Sequence, residues 1–90
     1  MENEFYEINI DMILFTHIGD EGVVYDIEKN EYINFNETLF QILIYIQDGK
    51  SKADIVKGLL SQYSVTLDSC MADVSEAILE MEKKNYIRRK

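Results

Sequence analysis

The chain has no proline, one cysteine, one histidine and only four glycines in 90 residues. Cys70 alone cannot form an internal disulfide, and together with His17 it falls short of the four ligands that a structural zinc ion takes. A single histidine is expected to be a solvated strand or loop residue, not part of a triad. Nothing around Cys70 or His17 marks a nucleophile–base pair. Few turns are expected, falling at the glycines and asparagines. No stretch approaches the roughly 18 apolar residues of a spanning helix. The opening "MENEFYEINI" lacks the basic segment and apolar block of a signal peptide, so a cytoplasmic protein is expected, with no membrane partner. There is no glycine-rich phosphate loop, no histidine-containing metal spacing and no nucleophile elbow. Carboxylates are plentiful but scattered over faces expected to be solvated, so a catalytic pair is not expected. Neither an enzyme nor a bound cofactor is the expectation.

Positive charge is scarce in one half of the chain. Residues 1–49 hold eleven acids and one base, Lys29, whereas residues 50–90 hold six acids and eight bases. The net charge of -8 therefore hides an acidic half at -10 and a mildly basic half. The acidic half repels nucleic acid and anionic lipid, and suits a basic peptide or a basic protein patch.

What is present is a 47% hydrophobic composition, enough for the modest core of one domain spanning residues 1–90. Residues 8–16 alternate with apolar Ile8, Ile10, Met12 and Leu14, which predicts a strand. "HIGDEG" is a loop. Residues 22–28 alternate again, with Val23, Tyr25 and Ile27 on one face and Val24, Asp26 and Glu28 on the other. Lys29-Asn30 is a two-residue hairpin connection. Residues 31–35 form a third strand, with Ile33 and Phe35 opposite Tyr32 and Asn34. Asn36 is suited to cap a helix over "ETLFQILIYIQ", which is apolar nearly all round and so belongs to the core. Asp48-Gly49 ends it in a left-handed turn. Ser51 and Asp54 start a second helix over residues 52–62. Val65 then plugs the core. A third helix runs from about Asp68 to Lys84 with the stripe Leu67, Met71, Val74, Ile78 and Met81. Asn85 stops it, and Tyr86-Ile87 folds back. Three strands followed by three helices give an α+β, winged-helix-like domain: a three-stranded antiparallel sheet, then a helical half.

A winged-helix shape raises DNA binding. The third helix, however, presents Asp68, Asp73, Glu76, Glu80 and Glu82 against Lys83 and Lys84 at its far end, the wrong sign for phosphate contacts. The third strand is the other feature of note. "EYINF" carries one charge and no proline, lysine or glycine, the residues that guard sheet edges. Main-chain groups on such an edge can pair with an incoming strand. One flank of the third helix holds Cys70, Asp73, Ala77 and Glu80. Its small residues either leave a groove beside the sheet or pack closely against it. In the first case Asp73 and Glu80 would meet basic groups of a ligand.

Three blocks together resemble the PqqD-like family. "GVVYDIEKNEYINFNET" is similar to that family's hairpin running into Asn-Glu-Thr. "IQDGKSKADIVKGLLSQYSV" resembles its Asp-Gly turn and second helix, and "ADVSEAILEMEKKNYI" its third helix. In the first helix, where members often carry a tryptophan or a small residue, this chain has isoleucine and tyrosine. The resemblance covers residues 22–87. It implies a non-catalytic recognition element that binds the leader of a ribosomally made precursor peptide. It further implies that the leader adds to Glu31, Tyr32, Ile33, Asn34 and Phe35, against the flank of Cys70, Asp73, Val74 and Ala77. The length is also similar to the small B1 proteins of lasso-peptide pathways. That likeness implies a transglutaminase-like leader peptidase and an asparagine-synthetase-like cyclase as partners, with a radical SAM enzyme as the alternative. Lasso leaders carry a tyrosine and a proline that fill an apolar pocket, for which Tyr32, Val74 and Met81 are the implied walls.

Overall fold

The computed structural model describes residues 4–18 and 21–90. Gly19-Asp20 of the expected loop and the side chain of His17 fall outside them. The architecture is α+β, with β1 (Tyr6–Ile8), β2 (Ile13–Ile18), β3 (Glu21–Asp26) and β4 (Glu31–Phe35) preceding three helices. These are α1 (Glu37–Gln47), α2 (Lys52–Gln62) and α3 (Leu67–Lys83), followed by a last short strand, β5 (Ile87–Arg89). β2, β3 and β4 form an antiparallel sheet in that order. β1 and β5 form a second, two-stranded antiparallel sheet that ties the two ends of the chain together.

The single strand expected over residues 8–16 is two strands with a turn between them. Asn9 makes the break. Its backbone carbonyl accepts from the amides of Met12 and Ile13, and its side-chain oxygen accepts from the amide of Asp11. Its side-chain nitrogen donates to the carbonyl of Asn85 and its amide to that of Tyr86. An Asn that bonds its own backbone two residues on competes with a strand. The turn shifts the phase of everything after it, and a one-residue slip exchanges the two faces of a strand. Ile13 is therefore buried, while Ile10 and Leu14 are exposed at 71% and 58%.

On β3 the inward face carries Val24 and Asp26, both buried, and the connection to β4 has four residues, 27–30, not two. Asn30 occupies its left-handed position at φ 56°. The amide of Lys29 donates to Asp26 Oδ1 at 2.9 Å. The other oxygen, Oδ2, accepts from the Tyr86 hydroxyl at 2.7 Å, so the buried carboxylate is satisfied from two sides. The backbone amide holds the Asp26 carboxyl below its ordinary range, and Tyr86 adds to that.

The inner face of the sheet packs on α1, where Phe40, Ile42, Leu43 and Ile46 are buried. Phe15 meets the Phe40 ring edge to face at 6.0 Å. Asn36 caps α1 by accepting from the Leu39 amide. At its other end Gly49, at φ 81°, lets the amides of Gly49 and Lys50 close back on Ile46 and Tyr45. Asn85, at φ 61°, closes α3 in the same way onto Glu82 and Met81, which turns Tyr86 and Ile87 into the core. The buried stripe of α3 is Cys70, Val74, Ile78 and Met81. Leu67 is half exposed, because it is the first residue of the helix after the Thr66 cap. Val65 does not plug the core and is also largely exposed.

Candidate functional site

β4 ends the three-stranded sheet. All five of its residues pair with β3, and no other strand pairs with it among the described residues. In an antiparallel ladder the backbone groups of alternate residues point away from the partner, so this strand offers a row of free donors and acceptors. Ile33 and Phe35 pack inward and fix the strand on the core. Tyr32, 76% exposed, lies on the outer face beside Tyr25, with the two ring centroids 4.9 Å apart. Asn34 is on that outer face too, and Glu31 is exposed at the turn end.

The opposite end of β4 runs directly into a groove of about 520 Å³. One wall is the start of α1, from Asn36 to Leu39, together with Ile42 one turn on. The floor comes from the end of α2, with Leu59 and Tyr63, and from Val65. The far wall is the flank of α3 formed by Cys70, Asp73 and Ala77. The small residues of that flank thus leave open space. Two carboxylates line the groove, Glu37 at the amino end of α1 and Asp73 on α3. The Tyr63 hydroxyl donates to Glu37 Oε1 at 3.3 Å, which orients that carboxylate across the groove wall. Burial, and then the Glu37 charge, raise the Tyr63 hydroxyl above its ordinary value.

Cys70 is buried and its thiol points to the carbonyl of Val56 at 3.8 Å. Burial first, and then the charge of Asp73, raise the thiol above its ordinary value. A thiol that resists ionisation is a poor nucleophile and metal ligand. The described residues hold no cluster of three or more histidine, cysteine, aspartate or glutamate side chains that could share a metal ion. No described helix is long and apolar enough to cross a membrane.

Of the ten residues singled out above, the structure places Cys70, Asp73 and Ala77 on the groove and Glu31 to Phe35 along the adjoining edge. Val74 and Met81 are not groove walls. Both are fully enclosed, Val74 against the centre of the core and Met81 near the carboxyl end of α3. Tyr32 does not line the groove either: the lining begins at Asn36, just past the end of β4, and Tyr32 lies on the outer face of the sheet beside Tyr25. Glu80 is absent from the lining, and the second acid of the groove is Glu37 on the opposite wall, at the start of α1. The groove residues of α1 and α2 went unforeseen. The one sequence signal for them was that β4 passes into α1 through a single cap residue, so both must border the same space.

The family model described as coenzyme PQQ synthesis protein D (PqqD) matches residues 21–87. The fold is similar to that of TbiB1, solved in complex with the TbiA(beta) leader peptide. That match has a TM-score of 0.81 at 22% identity, over 91% of this chain and 94% of the other. It is equally similar to a lasso peptide synthetase B1 complexed with its leader peptide, with a TM-score of 0.81 at 22% identity, over 92% and 96%. Comparison with curated proteins gives no match.

Proposed function

This chain belongs to the PqqD family, and we propose on that footing that it binds the leader segment of a ribosomally made precursor peptide and presents it to a modifying enzyme. Binding, not catalysis, is its task. The observation that carries this reading is the continuity of β4 with the groove: an open strand edge leads into an apolar cleft walled by α1, α2 and α3. An extended peptide laid on that edge gains main-chain hydrogen bonds, and the groove takes alternate side chains. The two similar structures, both leader complexes, support the lasso-peptide reading; in such a pathway the partners would be a transglutaminase-like leader peptidase and a cyclase. The family description, which refers to coenzyme PQQ synthesis, supports the second reading, a pathway in which the partner would be a radical SAM enzyme. The exposed side of α3, with Asp68, Asp73, Glu76 and Glu80, argues against DNA.

The test uses a synthetic leader taken from a precursor gene neighbouring this one. Ala77→Arg puts a long charged side chain into the groove, and is expected to weaken leader binding at least about tenfold in calorimetry while circular dichroism stays unchanged. Unaltered affinity in a folded Ala77→Arg protein would count against the groove. Amide exchange along residues 31–35 is expected to slow when leader is bound, and no slowing there would rule out strand addition.

A further inference from the structure

The peptide-binding reading leaves open what kind of peptide fits, and the lining of the groove bears on that choice. Its floor and walls are apolar, with Leu39, Ile42, Leu59 and Val65 beside the small Cys70 and Ala77. Its ionisable lining is acidic on both sides: Glu37 on one wall, Asp73 on the other, and no lysine or arginine among the lining residues. Glu37 is held in place twice, by the Tyr63 hydroxyl and by the positive amino end of α1. The surrounding half of the chain is strongly acidic as well. A peptide entering as an added strand turns every second side chain to the same side, with a spacing of about 7 Å. An apolar side chain on that side would fill the cleft. The next side chain on the same side, two residues along, would then meet the carboxylates at the rim.

We propose, resting on the peptide-binding reading, that the groove selects peptides that carry a bulky apolar residue and a lysine or arginine two positions from it. The apolar residue occupies the cleft between α1 and α3, and the cation bridges Glu37 and Asp73. The apolar residue supplies most of the affinity through burial, and the cation sets the choice among apolar peptides.

The experiment is a selection from a displayed library of random twelve-residue peptides on the immobilised full chain. It is repeated with Glu37→Gln/Asp73→Asn and with Ala77→Arg. Enriched peptides are expected to show the apolar–cation pair at a spacing of two. The double variant is expected to keep the apolar preference and lose the cationic one. For a selected peptide, each carboxylate lost is expected to weaken binding roughly two- to fivefold, the range of exposed ion pairs. The salt dependence of binding should flatten as well. Apolar peptides without a cationic bias, or with an acidic one, that still depend on Ala77 would overturn the inference and leave the groove intact. The same cationic bias in the double variant would also overturn it, by placing the cation elsewhere. If no enriched peptide is released by Ala77→Arg, the groove reading itself fails, and the inference with it.

Discussion

Gly22 shows how one residue sets the distance between sheet and helix. A methyl group added there would enter the Phe40 ring, so the sheet can approach α1 this closely only because the side chain is absent. Gly22 is in register with Phe35, the last residue of β4, so the same contact seats the end of the open edge where the groove begins. Gly22→Ala forces either the ring or the strand to move, and is expected to cost about 1–3 kcal/mol, the usual price of overpacking a filled core. Urea unfolding reads it directly. An unchanged midpoint would mean that the ring moves aside freely. Residue size also explains what was legible on α3. Cys70 and Ala77 stood out because small side chains on a helix flank leave space. Val74 and Met81 were assigned as pocket walls by the likeness to lasso B1 proteins alone; the predicted apolar stripe already puts both on the buried face, and there they lie. The buried face is centred between Cys70 and Met81, and Leu67 lies outside it because a helix's first turn has little to pack against.

At the level of elements, the joint between α3 and β5 holds the ends of the chain together. Asn85 takes the left-handed conformation there, its carbonyl accepts from the Asn9 side chain, and Tyr86 and Ile87 follow into the core. Left-handed backbone costs an ordinary residue about 1–2 kcal/mol. Asn85→Ala is therefore expected to lose stability of that order in urea unfolding, and Asn85→Gly to stay close to the parent. Equal losses from both would show that the asparagine side chain, not the backbone conformation, matters. The helices and β4 were readable because each carries its own local signals: Asn36, Ser51 and Gly49 at the ends, and a clear period between. β1 and β5 were not readable. Strands of three residues have no period to detect, and their pairing joins opposite ends of the chain. The Asn9–Asp11 pair did mark a turn, but the alternation of apolar Ile8, Ile10, Met12 and Leu14 across it simulated one long strand. The open edge of β4 was legible from its own composition, whereas the groove was only half legible, because Ile42 and Leu59 belong to the buried stripes of their helices and read simply as core.

Across the whole molecule, the buried contact between Asp26 and Tyr86 fastens the three-stranded sheet to the segment that leaves α3. Its two members titrate at opposite ends of the pH scale. The Asp26 carboxyl is held below its ordinary range by the Lys29 amide and then by Tyr86. Its contribution is present above the ordinary carboxylate range and is lost as pH falls through the lowered value. The Tyr86 hydroxyl is pushed up from 10.0 to about 12, first by burial and then by Asp26. Its contribution is complete below 10.0 and is lost as pH rises through about 12. Tyr6 is pushed to about 12 as well, by burial and by its bond to Glu4, so it adds to the alkaline loss from the other sheet. Stability should therefore form a plateau through neutral pH, falling in acid and again between 10 and 12. Tyr86→Phe keeps the ring and removes the hydroxyl, leaving one carboxylate oxygen without its partner. The variant is expected to unfold several degrees lower at neutral pH, with a shallower fall on both limbs. The alkaline limb should persist in part, because Tyr6 remains, and the acid limb in part, because the Lys29 amide still holds Asp26. Urea midpoints of parent and variant, measured from acid to pH 12, separate these expectations. Profiles of the same shape, merely displaced, would mean that the contact holds the sheet to the helices by packing alone.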